Sequence, residues 1–278
     1  MGHIFDQVRT EILLAIKNDD LVLPTLPEVA LQVRDVAMNP DASMEDLTKV
    51  IGNDPSLSAR VIKVANSPLM RASRKIEDLQ SALSRLGMSY TCNIATGLAM
   101  EQMFQATSDL IDSRLRETWN RSAEVAGIAT VLCRFCTKLR PDQATLAGLV
   151  HQIGALPILT FAENHKALLR DAFTLDTVIE KLAPAIGNRI LGSWDFPDEI
   201  RQVPSEHLAF TAEKPKVDYA DIVTVALINS YAGTNHPYAR MDHSKVTAFK
   251  RLGIDPETQD FVPPQVLDDL TVAKDMLK

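Results

Sequence analysis

Apolar residues return every three or four positions along most of the chain, and the strict alternation of a strand is nearly absent. Ile4, Val8, Ile12 and Ile16 predict a first amphipathic helix, broken at Leu21-Val22-Leu23-Pro24. Pro27 suits the first turn of the next helix, whose apolar stripe is Val29, Val33, Val36 and Ala37. Asn39-Pro40-Asp41 stops it, and Ser43 with Asp46 predicts a capping box. Met44, Leu47, Val50 and Ile51 form that helix's apolar face, with Gly52 as its left-handed closing residue. Asp54-Pro55 restarts a helix facing inward through Leu57, Val61, Val64 and Ala65, and Asn66-Ser67-Pro68 ends it. Ile76, Leu79, Leu83 and Leu86 build the next, closed by Gly87, and another spans about Ser89 to Phe104. A long helix is expected over Trp119–Lys138, buried through Val125, Ile128, Leu132 and Phe135. Pro141 breaks it. Ala144–Ile153 is helical again, and later helices are expected over 175–193, 217–233, 243–252 and 263–277. No fixed-period repeat and no low-complexity linker interrupts the pattern. The pattern predicts an all-α protein, a multi-helix bundle with its best internal seam near 105–112. That seam divides the chain into an N-terminal helical subdomain (1–107), a second helical subdomain (108–235) and a C-terminal helical extension (236–278).

Composition narrows the function classes. The chain has 278 residues, 46% of them apolar and 23% charged, which excludes disordered, collagenous and coiled-coil character. A net charge of −7 and a pI near 5.4 argue against nucleic acid and anionic membranes as partners. Cys92, Cys133 and Cys136 are too few, and odd in number, for a secreted disulfide framework. The N-terminus lacks the pattern of a signal peptide, and Asp6 breaks the myristoylation pattern. No apolar run is expected to reach the ~18 residues of a span. These readings predict a cytoplasmic protein.

Several catalytic frames are missing: there is no G-x-x-x-x-G-K-[ST], G-x-G-x-x-G, H-E-x-x-H or G-x-S-x-G. Cys133-Arg134-Phe135-Cys136 is a lone C-x-x-C without a second ligand pair, and reads as buried core cysteines. Arg60, Lys63, Arg71, Arg74 and Lys75 cluster around the Asn66-Ser67-Pro68 turn. They could contact a phosphate-bearing ligand or an acidic partner, but Glu77 and Asp78 dilute them toward a solvated face. Among the histidines, only His151 sits in a suggestive frame, Gly148-Leu149-Val150-His151-Gln152-Ile153-Gly154. A His-Asp pair there would present two metal ligands suited to activating water against phosphate, whereas Gln152 brings an uncharged amide.

With these residues in view, the chain resembles the HDOD proteins, bacterial signalling proteins related to HD-type phosphohydrolases, over roughly residues 20–235. The resemblance rests on Leu23-Pro24-Thr25-Leu26-Pro27 and on Asp54-Pro55-Ser56-Leu57 followed by Ala65-Asn66-Ser67. It rests also on Ile76 through Ala82 with Leu86-Gly87, and on Ile186-Gly187 with Trp194, Phe196 and Pro197. Asp54, Pro55, Asn66, Ser67, Gly87, Trp194 and Pro197 are then signature residues with structural roles. The resemblance makes 108–235 an HD-like half, in which Arg121 stands where relatives carry a histidine and Gln152 where an active relative carries the Asp of His-Asp. His207 falls near a paired-histidine position, and Asp221 matches the final metal-binding aspartate. Guanidinium cannot coordinate a metal and an amide carries no charge, so the site is more positive by about two units. At ~4 Å and an effective dielectric of ~20, one unit charge is worth ~4 kcal/mol. The resemblance therefore implies a metal-free, cofactor-free and non-catalytic HD-like site. In it Arg121 is expected to fill the metal position and pair with Asp221, while His151 becomes a hydrogen-bonded core histidine. The function implied is a stand-alone regulatory protein that binds a protein partner or a small signalling ligand, self-association included. Arg60, Lys63, Arg71, Arg74 and His207 are the candidate contacts. Two alternatives stay open: an apo nucleotide-binding pseudo-enzyme, and a divergent metal-dependent phosphohydrolase using Glu206, His207, His236 or Asp218.

Overall fold

The computed structural model describes residues 10, 11, 14, 23–70, 74–163, 165–169, 171–257 and 264–277. Among the described residues there is no strand; the protein is all-α. Of the helix expected over Ile4–Ile16 only Thr10, Glu11 and Leu14 are described, all three helical; the rest of it and the basic residue Arg71 lie outside the described residues.

Between Leu23 and Ala99 the described residues form five α-helices, punctuated largely as the sequence predicts. Helix α1 (Glu28–Met38) follows Pro27 and buries Ala30 and Val33, while Ala37 is exposed. Helix α2 (Met44–Gly52) begins with the full Ser43–Asp46 capping box. Gly52 is not its left-handed terminator: it stays helical, and Asn53 caps the end in a right-handed conformation. Helix α3 (Pro55–Ala65) starts on the Asp54 side chain, which accepts the Leu57 N–H at 3.0 Å, with Pro55 at the first helical position. Asn66 then closes the loop that follows. Its Nδ2 donates to the Ile62 and Ile76 carbonyls, and its Oδ1 accepts the Ile76 N–H at 2.8 Å. Ser67 is buried behind it. Helix α4 (Leu79–Leu86) is capped by Asp78. Gly87, at φ +80°, ends α4 and directly precedes α5 (Met88–Ala99), a conformation that favours glycine.

The second half is built around α6 (Asp109–Cys136). It starts ten residues earlier than expected, because only its latter part carries a continuous buried face. Phe135, expected in the core, is exposed. Helices α7 (Pro141–Val150), α8 (Ala155–Glu163), α10 (Tyr219–Ser230) and α12 (Pro264–Met276) all pack on α6, and α9 (Ala172–Ser193) lies on α8. Single helical turns at Val203–Glu206 and Pro237–Arg240, and the short α11 (Thr247–Leu252), fill the edge. Cys133 is buried and Cys136 half-buried, and burial pushes both thiols above their ordinary range.

Two corrections concern surface chemistry. Pro141–Glu163 does reach the length and hydropathy of a span, contrary to expectation, but 83% of its apolar window is buried in the fold. The turn at 151–154 splits it into two core helices. Arg60, expected on a solvated basic face, turns inward. It pairs with Glu101, donates to the carbonyls of Leu98 and Leu277, and lies over the Trp119 ring at 5.6 Å. Lys63 and Arg74 stay exposed.

Besides the bonds of Arg60 to Leu277 and of Arg134 to Leu69, two joints tie the halves together. Helix α5 packs on α7, and the Trp194 indole donates to the Pro24 carbonyl at 3.0 Å. Arg34 completes that second joint: it donates to the Trp194 and Asp195 carbonyls and covers the Phe196 ring. Trp194 is thus a packing residue. Pro197 is exposed and precedes the turn Asp198–Arg201, leaving Phe196 as the buried ring.

Contacts across α6 are made backbone to backbone. A Cβ placed on Gly148 would collide with the backbone of Ala126, and one on Gly127 with the carbonyl of Ala273. Gly148→Ala is expected to cost about 3 kcal/mol, because neither backbone can yield without separating α6 from α7. Gly192→Ala, on the exposed side of α9, meets only the flexible Arg201 side chain at 3.3 Å. It should be neutral or stabilising by up to about 1 kcal/mol through helix propensity. Urea denaturation of both variants checks the contrast.

Candidate functional site

A cavity of about 490 Å³ opens between α6, the end of α7, α9 and the segment after α10. Its floor holds two histidines. His151 follows the last residue of α7, where Gly148 has brought that helix against α6. Its Nδ1–H donates to the Gly148 carbonyl at 2.6 Å. His207 follows the turn Val203–Glu206, and its Nδ1–H points at the carbonyls of Val203 and Pro204 at 3.0 and 3.1 Å. Thr224 of α10 holds that residue in place through the His207 carbonyl, at 2.8 Å. The two rings meet edge to face, with centroids 5.1 Å apart. With Nδ1 carrying the proton in each ring, each Nε2 presents a lone pair. The His151 Nε2 is buried and has no hydrogen-bond partner in the protein.

Both imidazoles are held neutral. Burial lowers the His151 pKa from 6.5 to about 3, helped by the neighbouring His207 and by Arg121. Burial lowers that of His207 from 6.5 to about 4. The expectation of a hydrogen-bonded core histidine holds for one nitrogen of His151. The other is buried without a partner in the protein.

Gln152 is half-exposed at the cavity wall. Arg121, from α6, donates to the Ser230 carbonyl at 2.9 Å and lies 3.6 Å from Glu124. Its guanidinium covers the Tyr231 ring at 4.2 Å, and His236 stacks on Tyr231 at 3.6 Å. Arg121 therefore does lie beside His151, but it does not pair with Asp221. That expected pair is replaced by another. Asp221, 3% exposed, receives both Arg251 Nε and Nη2 at 2.8 and 2.7 Å, and shares a capping box with Asp218. The physical reason is the one that motivated the expectation: a buried carboxylate needs a cation. The cation comes from α11, 30 residues on, which periodicity could not reveal. Of the alternative ligand set, His207 and His236 line the cavity. Glu206 and Asp218 are both engaged by Lys214, at 2.6 and 2.7 Å. Lys63 and Arg74 do not line the cavity, and Arg60 is in the α3–α5 core. Tyr231 and Tyr238 were missed by sequence reasoning and His236 was singled out only as a possible metal ligand, because the wall's only signal is a scatter of rings after α10.

Among the described residues, no three His, Cys, Asp or Glu side chains converge as metal ligands. A divalent ion offered the His151 and His207 lone pairs would meet the Arg121 guanidinium and the Gln152 amide, with Asp221 already bound by Arg251. The residues present do not fit a catalytic metal centre.

Two measurements follow from these groups. Arg251→Met leaves Asp221 buried without its cation and is expected to destabilise the fold by about 3–5 kcal/mol, read by urea denaturation. The histidine pair makes stability depend on pH. Their folded pKa values lie below the unfolded one, so the unfolded chain binds more protons between roughly pH 4 and 6.5. Their contribution is complete above pH ~6.5 and falls by about 1.4 kcal/mol per pH unit per histidine as the solution is acidified. Denaturation midpoints should drop from pH 7 to pH 5, and His207→Gln should flatten that slope.

Comparison with known proteins agrees with this architecture. The HDOD domain profile matches residues 23–210. A Shewanella amazonensis SB2B protein, provisionally named a metal-dependent phosphohydrolase, is 32% identical and superposes with a TM-score of 0.89 over 100% of both chains. A Marinobacter aquaeolei VT8 protein, provisionally named a signal transduction protein, shares the fold at 24% identity and TM-score 0.65, over 98% of this chain and 64% of its own. An uncharacterised Treponema pallidum (strain Nichols) protein is 22% identical over 85% of this chain, which spans 47% of that relative's length. The chain belongs to the HDOD domain family.

Proposed function

We propose that this HDOD protein is a regulatory component of bacterial signal transduction. It acts in the cytoplasm by non-covalent binding of a protein partner or a small signalling ligand, and its HD-like cleft neither holds a metal nor turns over phosphodiesters. The observation that carries this reading is the bidentate Arg251–Asp221 pair. By the family resemblance Asp221 is the carboxylate that would close a metal site and Arg121 and Gln152 stand at two further ligand positions, and this pair commits Asp221 to a guanidinium instead.

The energetic argument is simple. Bringing a divalent ion to the His151 and His207 lone pairs means approaching the Arg121 guanidinium, and no three His, Cys, Asp or Glu side chains among the described residues converge to hold the ion there. Each unit charge misplaced at ~4 Å costs ~4 kcal/mol even at an effective dielectric of ~20. Releasing Asp221 would in turn strip a buried pair. The relationship to a provisionally named signal transduction protein supports the regulatory class at the level of fold.

The test is metal content of untagged protein by mass spectrometry, followed by calorimetric titration with manganese, iron and zinc. The expected result is under ~0.1 metal per chain and no binding heat at micromolar concentrations, with no hydrolysis of phosphodiester substrates. Stoichiometric metal with turnover would overturn the reading in favour of a phosphohydrolase.

A further inference from the structure

The arginines that line the cleft are already paired. Two guanidiniums and three carboxylates line it: Arg114 and Arg121 against Glu117, Asp176 and Glu180. Arg114 is paired with Asp176. Arg121 is engaged by the Ser230 carbonyl, Glu124 and the Tyr231 face. A phosphate entering here would find both arginines occupied and an excess of negative charge around them. A cation reaching the floor would meet Arg121.

The floor asks for something different. Two neutral imidazoles line the cavity with their Nδ1–H groups committed to backbone carbonyls, and the His151 Nε2 is buried with nothing to accept from. An unsatisfied buried acceptor costs free energy that a donated N–H would recover. Beside them, the Gln152 amide both donates and accepts, which is the pattern that reads the edge of a heterocyclic base. One wall is planar: the guanidinium of Arg121, the Tyr231 ring and the His236 ring form a layered stack, with Tyr238 set edge-on to His236 at 4.7 Å. A cavity of this volume lies within the range of small-molecule sites.

We propose that this cleft binds an uncharged, planar nitrogen heterocycle of the nucleobase or nucleoside class. The ligand donates N–H groups to His151 and His207 Nε2 and pairs with the Gln152 amide. This rests on the non-catalytic reading of the site and adds the chemistry of its ligand: the base is recognised and the phosphate is refused.

The test uses the full chain without added metal. Adenine, guanine, uracil, their nucleosides and their 5′-monophosphates are titrated up to about 1 mM, by thermal shift and calorimetry. At least one base or nucleoside should raise the melting temperature saturably, and its 5′-monophosphate should bind at least about tenfold more weakly. Gln152→Ala changes a half-exposed side chain, so it should preserve the fold and weaken binding by about tenfold. His151→Gln, if it folds, should do the same. No binding by any base or nucleoside, a preference for the monophosphate, or binding indifferent to Gln152→Ala would each overturn the proposal. The two readings fail separately. Metal uptake with hydrolysis refutes the non-catalytic reading, whereas a metal-free, inactive protein that ignores all three ligand sets refutes only the ligand assignment.

Discussion

Ala126 and Gly148 face each other where α6 and α7 cross, and no side chain separates the two backbones. Gly127 meets Ala273 of α12 in the same way on another side of α6. Such contacts tolerate almost no displacement, because the atoms touching are main-chain atoms that cannot change rotamer. The position of His151 follows from them. It sits one turn beyond Gly148, donates back to the Gly148 carbonyl, and so inherits the location of the α6–α7 crossing. Arg121 comes from α6 itself. The neighbourhood of an imidazole and a guanidinium at the cleft floor is a consequence of how closely two helices pack.

The electrostatics of the cleft then form one connected arrangement. A guanidinium beside His151 favours the neutral imidazole, burial reinforces it, and the backbone carbonyls of Gly148, Val203 and Pro204 select the Nδ1–H tautomer in both rings. Asp221, with no metal ligand role in this geometry, is stabilised by Arg251 and by its place in the capping box of α10. On the proposed reading these features are compensations for one change, the departure of the cation around which an HD site is organised. What remains is a cavity with acceptors at its floor, a planar wall and arginines already paired.

The signature residues of the N-terminal half do mechanical work. Asp54 starts a helix, Asn66 clasps a loop at both ends, and Gly87 turns the chain between consecutive helices. Trp194 and Arg34 tie this half to the end of α9 through backbone carbonyls. These are contacts that specify shape.

That distinction marks how much was legible in the chain itself. Helix class, most helix starts and the family signature follow from local rules: a cap needs Ser or Asp three residues before an N–H, and a buried face needs apolar residues every three or four positions. The chemistry of Arg121 and Gln152 was likewise visible, since neither can supply an anionic ligand in any conformation. Local rules failed where partners are distant. Gly52 stays helical, Arg60 turns inward to Leu277, and the aromatic wall after α10 carries no periodic signal. The partner of Asp221 could not be chosen from sequence, because any of 29 lysines and arginines would satisfy its charge. Only the tertiary structure, by placing α11 against α10 and Tyr231 beneath Arg121, decided which guanidinium neutralises the buried aspartate and which one remains at the cleft. Charge determines that a buried carboxylate must be paired, and packing determines with whom.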